Sequence, residues 1–269
     1  DLVHDPYADH PLISSGYAPH PLSALSDAAF TELRVLADQL DVPVQVRLHE
    51  TEAEIAASIA KSGKRPFERL DDLGLVNASL LAVHAVHMTE AEIDRLAETG
   101  VSIAHCPRSN LKLASGIAPI SRFRRAGINV GIGTDGAASH NMLDMLAEIR
   151  LATLLARAQS KNAAVITPAD ALRMGTLDSA RALGLADSIG SLRPGKYADL
   201  TCVDLSSPNS QPVYDVLSTL IFSTTASQVS DVWVGGKHQL DNGRLVPINT
   251  GELLERSNDW RDRIAASKG

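Results

Sequence analysis

At 269 residues with 44% apolar side chains, the chain is long enough to bury one sizeable core with a smaller appendage. Its formal net charge of -7 leaves no basic surface for phosphate backbones, so nucleic acid is not an expected partner. No apolar run approaches the roughly 20 residues that span a bilayer, and DLVHDPYADH at the start lacks the charged and apolar regions of a leader, which predicts a cytoplasmic protein without a membrane partner.

Along the chain, residues 14 to about 158 alternate short apolar or β-branched runs with amphipathic stretches, the pattern of a parallel sheet covered by helices. The expected strands end near His20, at 47–50, near His84, near His105 and at Asp135. Helices are expected at 26–41, 51–62, 66–73, 89–99 and 119–126, and Thr51 with Glu54 and Thr89 with Glu92 have capping-box spacing. Two more follow at 142–158 and 168–183, the latter with Thr167 as cap and Pro168 at its first position. Five strands do not close a parallel barrel of eight, so residues 1–187 read as an α/β unit, the C-terminal part of a (β/α)8 barrel. From 188 to 250 short strands and glycine turns take over, with a tight hairpin at Gly235-Gly236, and predict part of a small β-sandwich; 251–269 reads as a C-terminal helix.

The polar, chemically capable residues gather at the strand ends, where (β/α) barrels build their active sites. In GIGTDGAASHN (131–141) an apolar strand delivers Asp135 into a turn of small residues, which suits either a helix cap or a site that substrate approaches closely. Glu50, His84 and His105 end other strands, so imidazoles and carboxylates converge on one rim. A divalent ion held there lowers the pKa of bound water to about 7, and a neighbouring carboxylate can carry the proton to a leaving group. Cys106 and Cys202 are far apart and form no CxxC pair, so any metal is held by His and carboxylate. The loop HCPRSNLKLASGIAPI (105–120) carries Ser109, Asn110 and Lys112 and reads as a pocket wall or as an ordinary packed loop. His4, His10, His87 and His238 are expected to be structural.

Together these residues resemble the amidohydrolase superfamily, in its branch of methylthioadenosine and S-adenosylhomocysteine deaminases, over essentially the whole chain. The resemblance rests on Pro19-His20 before Ser26-Asp27, LHET (48–51), AVHAVH (82–87), HCPRSNLKLASGIAP (105–119), GTDGAAS (133–139) and PGKYADL (194–200). It implies a hydrolytic deaminase of an adenine nucleoside that uses zinc, iron or manganese. Asp135 is then the metal-binding carboxylate and helps take the proton from water, and Glu50 is the proton shuttle to the ring nitrogen and the departing ammonia. His84 holds the attacking hydroxide, while His20, His105, Asn110 and Ser139 join Glu50 around the substrate.

The sequence departs from the family in two places. The paired HxH ligands of the first barrel strand would lie upstream of Asp1, which predicts a chain impaired alone that pairs with an N-terminal half or forms a homo-oligomer. Where the family carries a ligand histidine three residues before the shuttle glutamate, this chain has Arg47. Arginine stays protonated and ligates no metal. At about 4 Å and an effective dielectric near 20 a unit pair is worth about 4 kcal/mol, so a guanidinium facing a divalent ion costs on the order of twice that. His49, two residues on, shares a strand face with position 47 if the strand persists and stands as a substitute ligand. Alternatively Arg47 pairs with Asp135 and Glu50 and replaces the metal by a salt bridge. The competing functional readings are a guanine deaminase, an s-triazine chlorohydrolase and a metal-free pseudoenzyme that binds a nucleoside or a partner.

Overall fold

The computed structural model describes residues 4–267, so residues 1–3 of the expected first unit and 268–269 of the expected last helix lie outside the described residues. Four parallel strands, β1 (Val44–Leu48), β2 (Leu80–His84), β3 (Ser102–His105) and β4 (Val130–Ile132), pair in chain order. Their register sets Leu48 opposite His84 and His105 opposite Ile132, so the four C-terminal ends form one rim. Helix α1 (Asp27–Leu40) precedes β1. Helices α2 (Glu52–Ser62) and α3 (Pro66–Asp72) cross from β1 to β2, α4 (Glu90–Thr99) from β2 to β3, and α5 (Pro107–Lys112) with α6 (Ile120–Arg125) from β3 to β4.

Side-chain alternation explains the two faces of this sheet. Val46, Leu48, Leu80, Ala82, Ile103 and Val130 are buried with Phe30, Phe67, Leu96 and Phe123 of the helices in one apolar core. Gln45, Arg47, Leu81, Val83, Ala104, Cys106, Gly131 and Gly133 line a cavity on the other face. The caps hold as expected at Thr89, whose hydroxyl and the Glu92 carboxylate satisfy each other's backbone amides. Thr51 accepts from the Glu54 amide, but the Glu54 carboxylate reaches one residue further back and accepts from the Glu50 amide at 2.9 Å. That bond fixes the backbone beneath a candidate catalytic residue.

The expected first strand does not form. Tyr17 makes a single parallel bridge to Val44, with Gln45 N–H donating to its carbonyl at 2.7 Å, because Pro19 and Pro21 remove the donors that a ladder needs. The strand expected to reach Asp135 stops at Ile132. Beyond it come α7 (Ala137–His140) and α8 (Met145–Ser160), capped by Asp144. The helix expected at 168–183 is two, α9 (Pro168–Met174) and α10 (Leu177–Ala182). The break falls at Gly175, where an added Cβ would sit 2.3 Å from Ile149 Cδ1, so α8 packs directly on backbone there. The turn lays α10 along β4, where the Ser179 hydroxyl accepts from the Ile132 amide at 3.0 Å.

Residues beyond α10 build a second, antiparallel sheet of β5 (Leu200–Val203), β6 (Val229–Val234), β7 (Lys237–Asp241) and β8 (Arg244–Leu245), with α11 (Val216–Phe222) between β5 and β6. Gly235 and Gly236, at φ +55° and +76°, make the two-residue turn between β6 and β7. Helix α12 (Thr250–Ala266) follows the sheet and has no buried residue.

Candidate active site

Just beyond three strand ends the backbone leaves the extended region. His49, His84, Ala85 and Asp135 have φ of +49°, +74°, +47° and +61°, a conformation uncommon outside glycine that concentrates at functional sites. These turns bring Glu50, His84 and Asp135 together. His84 Nε2 lies 3.6 Å from Glu50 Oε2 and 3.9 Å from Asp135 Oδ2.

Arg47 stands between the two carboxylates. Its Nη1 and Nη2 donate to Asp135 Oδ1 and Oδ2 at 2.8 and 3.1 Å, a two-toothed pairing, and Nε and Nη2 donate to Glu50 Oε2 at 3.1 and 2.9 Å. Burial opposes the guanidinium's charge, but bonds to Asp135 and Glu50 outweigh it and raise its pKa. Ser109 and Ser139 hydroxyls also donate to Asp135 Oδ2, at 2.7 and 3.0 Å. Burial would raise the Asp135 carboxyl, yet Arg47, Ser109, the Gly136 amide and Ser139 hold it well below the usual carboxylate range. The Ser115 hydroxyl approaches Glu50 Oε1 at 3.4 Å.

His84 is fully buried, with Nδ1 2.8 Å from Asn110 Oδ1 on α5 and Nε2 without a partner. Burial is the largest influence on its pKa, which is lowered. Asn110 therefore orients His84 and does not line the cavity, while His20 does line it, beside Arg47 and Asp135. The loop expected at 105–120 thus carries a short helix, and the buried hydroxyl of Ser109 on that helix is a site residue that the sequence reading did not assign. The Glu148 carboxylate secures the turn after Asp135, accepting from His140 Nε2 at 2.7 Å and from Arg108 Nε at 3.1 Å.

Beside Asn110, the structure departs from two further expectations. His49 is not a ligand on the face of Arg47, because its left-handed backbone ends the alternation and turns the ring away. Its Nε2 accepts from the Phe67 amide at 3.1 Å, Nδ1 lies 3.3 Å from Arg65 Nη2 and 3.7 Å from Glu92, and burial lowers its pKa to about 4. His105 is not among the residues that line the cavity, and it shares the parity of Ile103. It is buried with neither ring nitrogen partnered, and burial, then His84, lowers its pKa to about 3.

A metal can be tested against this donor set. Glu50, His84 and Asp135 do not close on a common point. Among the described residues, only Asp231, His238 and Asp241 of the β6–β7 hairpin bring three ligating atoms within 4.8 Å of one another. With Arg47 bonded to both carboxylates at the rim, the residues present do not fit a divalent ion.

The arrangement is a cluster of two carboxylates and a buried histidine with an arginine at its centre, and comparison with known proteins gives its family. The amidohydrolase family matches residues 7–238, and the chain belongs to that family. It is 40% identical over 269 residues to the 5-methylthioadenosine/S-adenosylhomocysteine deaminase of Teredinibacter turnerae, covering 99% of this chain and 60% of that protein. The structure of an adenosine deaminase from Xanthomonas campestris with bound zinc superposes with a TM-score of 0.96 at 51% identity, covering 98% of this chain and 60% of that one. An atrazine chlorohydrolase from Arthrobacter aurescens TC1, complexed with zinc, gives 0.82 at 30% identity, over 87% and 52%. The chain spans about 60% of the length of the curated relatives it matches.

Proposed function

We propose that this chain is the C-terminal part of a (β/α)8-barrel deaminase acting on an adenine nucleoside such as methylthioadenosine, S-adenosylhomocysteine or adenosine. In this reading residues up to 187 belong to the barrel, 188–250 to a β-sandwich, and the last helix follows it. The protein works in the cytoplasm, as a homo-oligomer or with the rest of the barrel. The observation that carries the reading is the convergence of Glu50, His84 and Asp135 at or just beyond the ends of β1, β2 and β4, beside a cavity of about 440 Å³ that His20 lines. That volume lies within the range of small-molecule sites.

Deamination joins a water oxygen to C6 of the purine, breaks the C6–N bond and releases ammonia. Asp135 is placed to accept the water proton. Glu50 passes a proton to the ring nitrogen and then to the leaving amine, and His84 Nε2 steadies the incoming oxygen. His20 contacts the ring from the cavity wall, Ser109 and Ser139 hold Asp135, and Asn110 sets the His84 ring. Arg47 occupies both carboxylates in this chain, so turnover here is expected to be slow until position 47 changes.

The test follows the loss of absorbance as adenine becomes hypoxanthine in the Arg47→His protein restored to a full-length barrel, with zinc added. Turnover of methylthioadenosine, S-adenosylhomocysteine or adenosine, and none of guanine or a chlorotriazine, is the expected result. Dechlorination of the triazine without nucleoside turnover favours the chlorohydrolase reading, to which the 30% identical atrazine chlorohydrolase lends its weight, and overturns the present one.

A further inference from the structure

We infer that Arg47 is the resident cation of this site, a covalently held substitute for a metal, and that it turns a hydrolytic centre into a metal-independent binding site for a purine nucleoside. The inference takes the class of ligand from the proposed function and nothing else.

A guanidinium has five N–H donors in a planar fork. Four are engaged here: one of Nε and one of Nη2 on Glu50 Oε2, the other of Nη2 on Asp135 Oδ2, and one of Nη1 on Asp135 Oδ1. The Arg47 side chain is 31% exposed and lines the cavity, so the remaining Nη1–H is the donor left for an acceptor atom of a ligand there. The carboxylates are less open, at 14% for Glu50 and 12% for Asp135, and the unpartnered Nε2 of His84 is sealed from solvent. Arg47 therefore neutralises the rim and closes it. A cation entering between Asp135 and His84 would meet a like charge already bonded to both carboxylates. The guanidinium supplies the charge compensation of a metal but not its chemistry, because it has no vacant coordination position and cannot turn water into hydroxide near neutral pH. A nucleoside held against it has no activated nucleophile to meet.

The experiment has three arms. In calorimetric titrations, adenosine binds the wild-type protein with the same affinity, within about twofold, in chelator and in added zinc, and no ammonia is released. In thermal melts, Arg47→Met lowers Tm by roughly 5 °C or more by leaving two carboxylates uncompensated, and adding Asp135→Asn restores most of the loss. Arg47→Lys, which keeps the charge without the fork, falls between and serves if the methionine variant does not fold. In equilibrium dialysis, the wild type holds no zinc that depends on Asp135. Zinc lost in Asp135→Asn yet kept in Asp231→Asn, which disables the hairpin cluster, overturns the inference. So does a methionine variant as stable as wild type, or a wild-type protein that does not bind adenosine. The deaminase reading is judged separately, by turnover in the Arg47→His protein, and survives each of these failures.

Discussion

The two four-stranded sheets differ in what surrounds them. All five residues of β2 are buried, and β1, β3 and β4 bury most of theirs, whereas no residue of β5 to β8 is fully buried. Each sheet brings a histidine beside carboxylates. In the hairpin, His238 Nε2 donates to Asp231 at 3.1 Å and its ring stacks on Trp233 at 4.4 Å, all partly open to water and without left-handed backbone, although the pairing shifts register between Val232 and Trp233. At the rim of the parallel sheet, His84 and Asp135 sit on left-handed backbone with a partly buried ion pair beside them. The difference shows where strained backbone can be kept: only a packed surround holds groups in positions that they would leave in water.

The contrast can be broken most forcefully at its packing. Phe123 on α6 is wholly buried, and Phe123→Ala should cost about 4 kcal/mol in urea unfolding. Acid should act next, and again through the parallel sheet. His105 titrates near 3 in the folded protein and near 6.5 unfolded, so the folded state is fully favoured above pH 6.5 and loses that contribution as pH falls toward 3. A fall on the order of 2 kcal/mol or more between pH 7 and 4.5 is expected from melts across that range, and because His49 and His84, both lowered by burial, act in the same sense, His105→Asn lessens the fall without removing it. The smallest effect belongs to the hairpin: Trp233→Ala should cost about 1 kcal/mol, the worth of one half-exposed stack. If it matched Phe123→Ala, the two sheets would be energetically alike and the contrast would fail.

The rim was legible in the sequence because Glu50, His84 and Asp135 end separate apolar strands and fall in motifs that resemble one family, and the Arg47 ion pair stood as one of two alternatives at that position. Helix starts were readable at Thr51, Thr89 and Thr167 because capping is local chemistry. The face of His105 was not legible. Its strand, SIAH, is buried on both sides apart from the half-buried Ala104 and begins with a polar residue, so alternation carries no sign of which side faces the cavity. The direction of His49 was hidden for another reason, since a left-handed residue one step past a strand end leaves no trace in the pattern. Ser109 and Ser115 reach the carboxylates through the shape of α5 and the turn after it, and serines in such a segment look like any others. The missing strand before His20 could have been foreseen from Pro19 and Pro21.

The left-handed backbone at 49, 84 and 135 also has a bearing on how this molecule can change. At those positions the backbone restricts the amino-acid alphabet before chemistry does: glycine fits freely, asparagine and aspartate fit at little cost, and valine, isoleucine or threonine would have to bend the chain. Position 47, in the regular part of β1, carries no such restriction. The residue that decides the charge of the site therefore stands where substitution is conformationally cheap, whereas Asp135, with which it pairs, and His84 nearby stand where substitution is dear. A lineage carrying this fold can exchange its central cation in one step while the frame around it stays fixed.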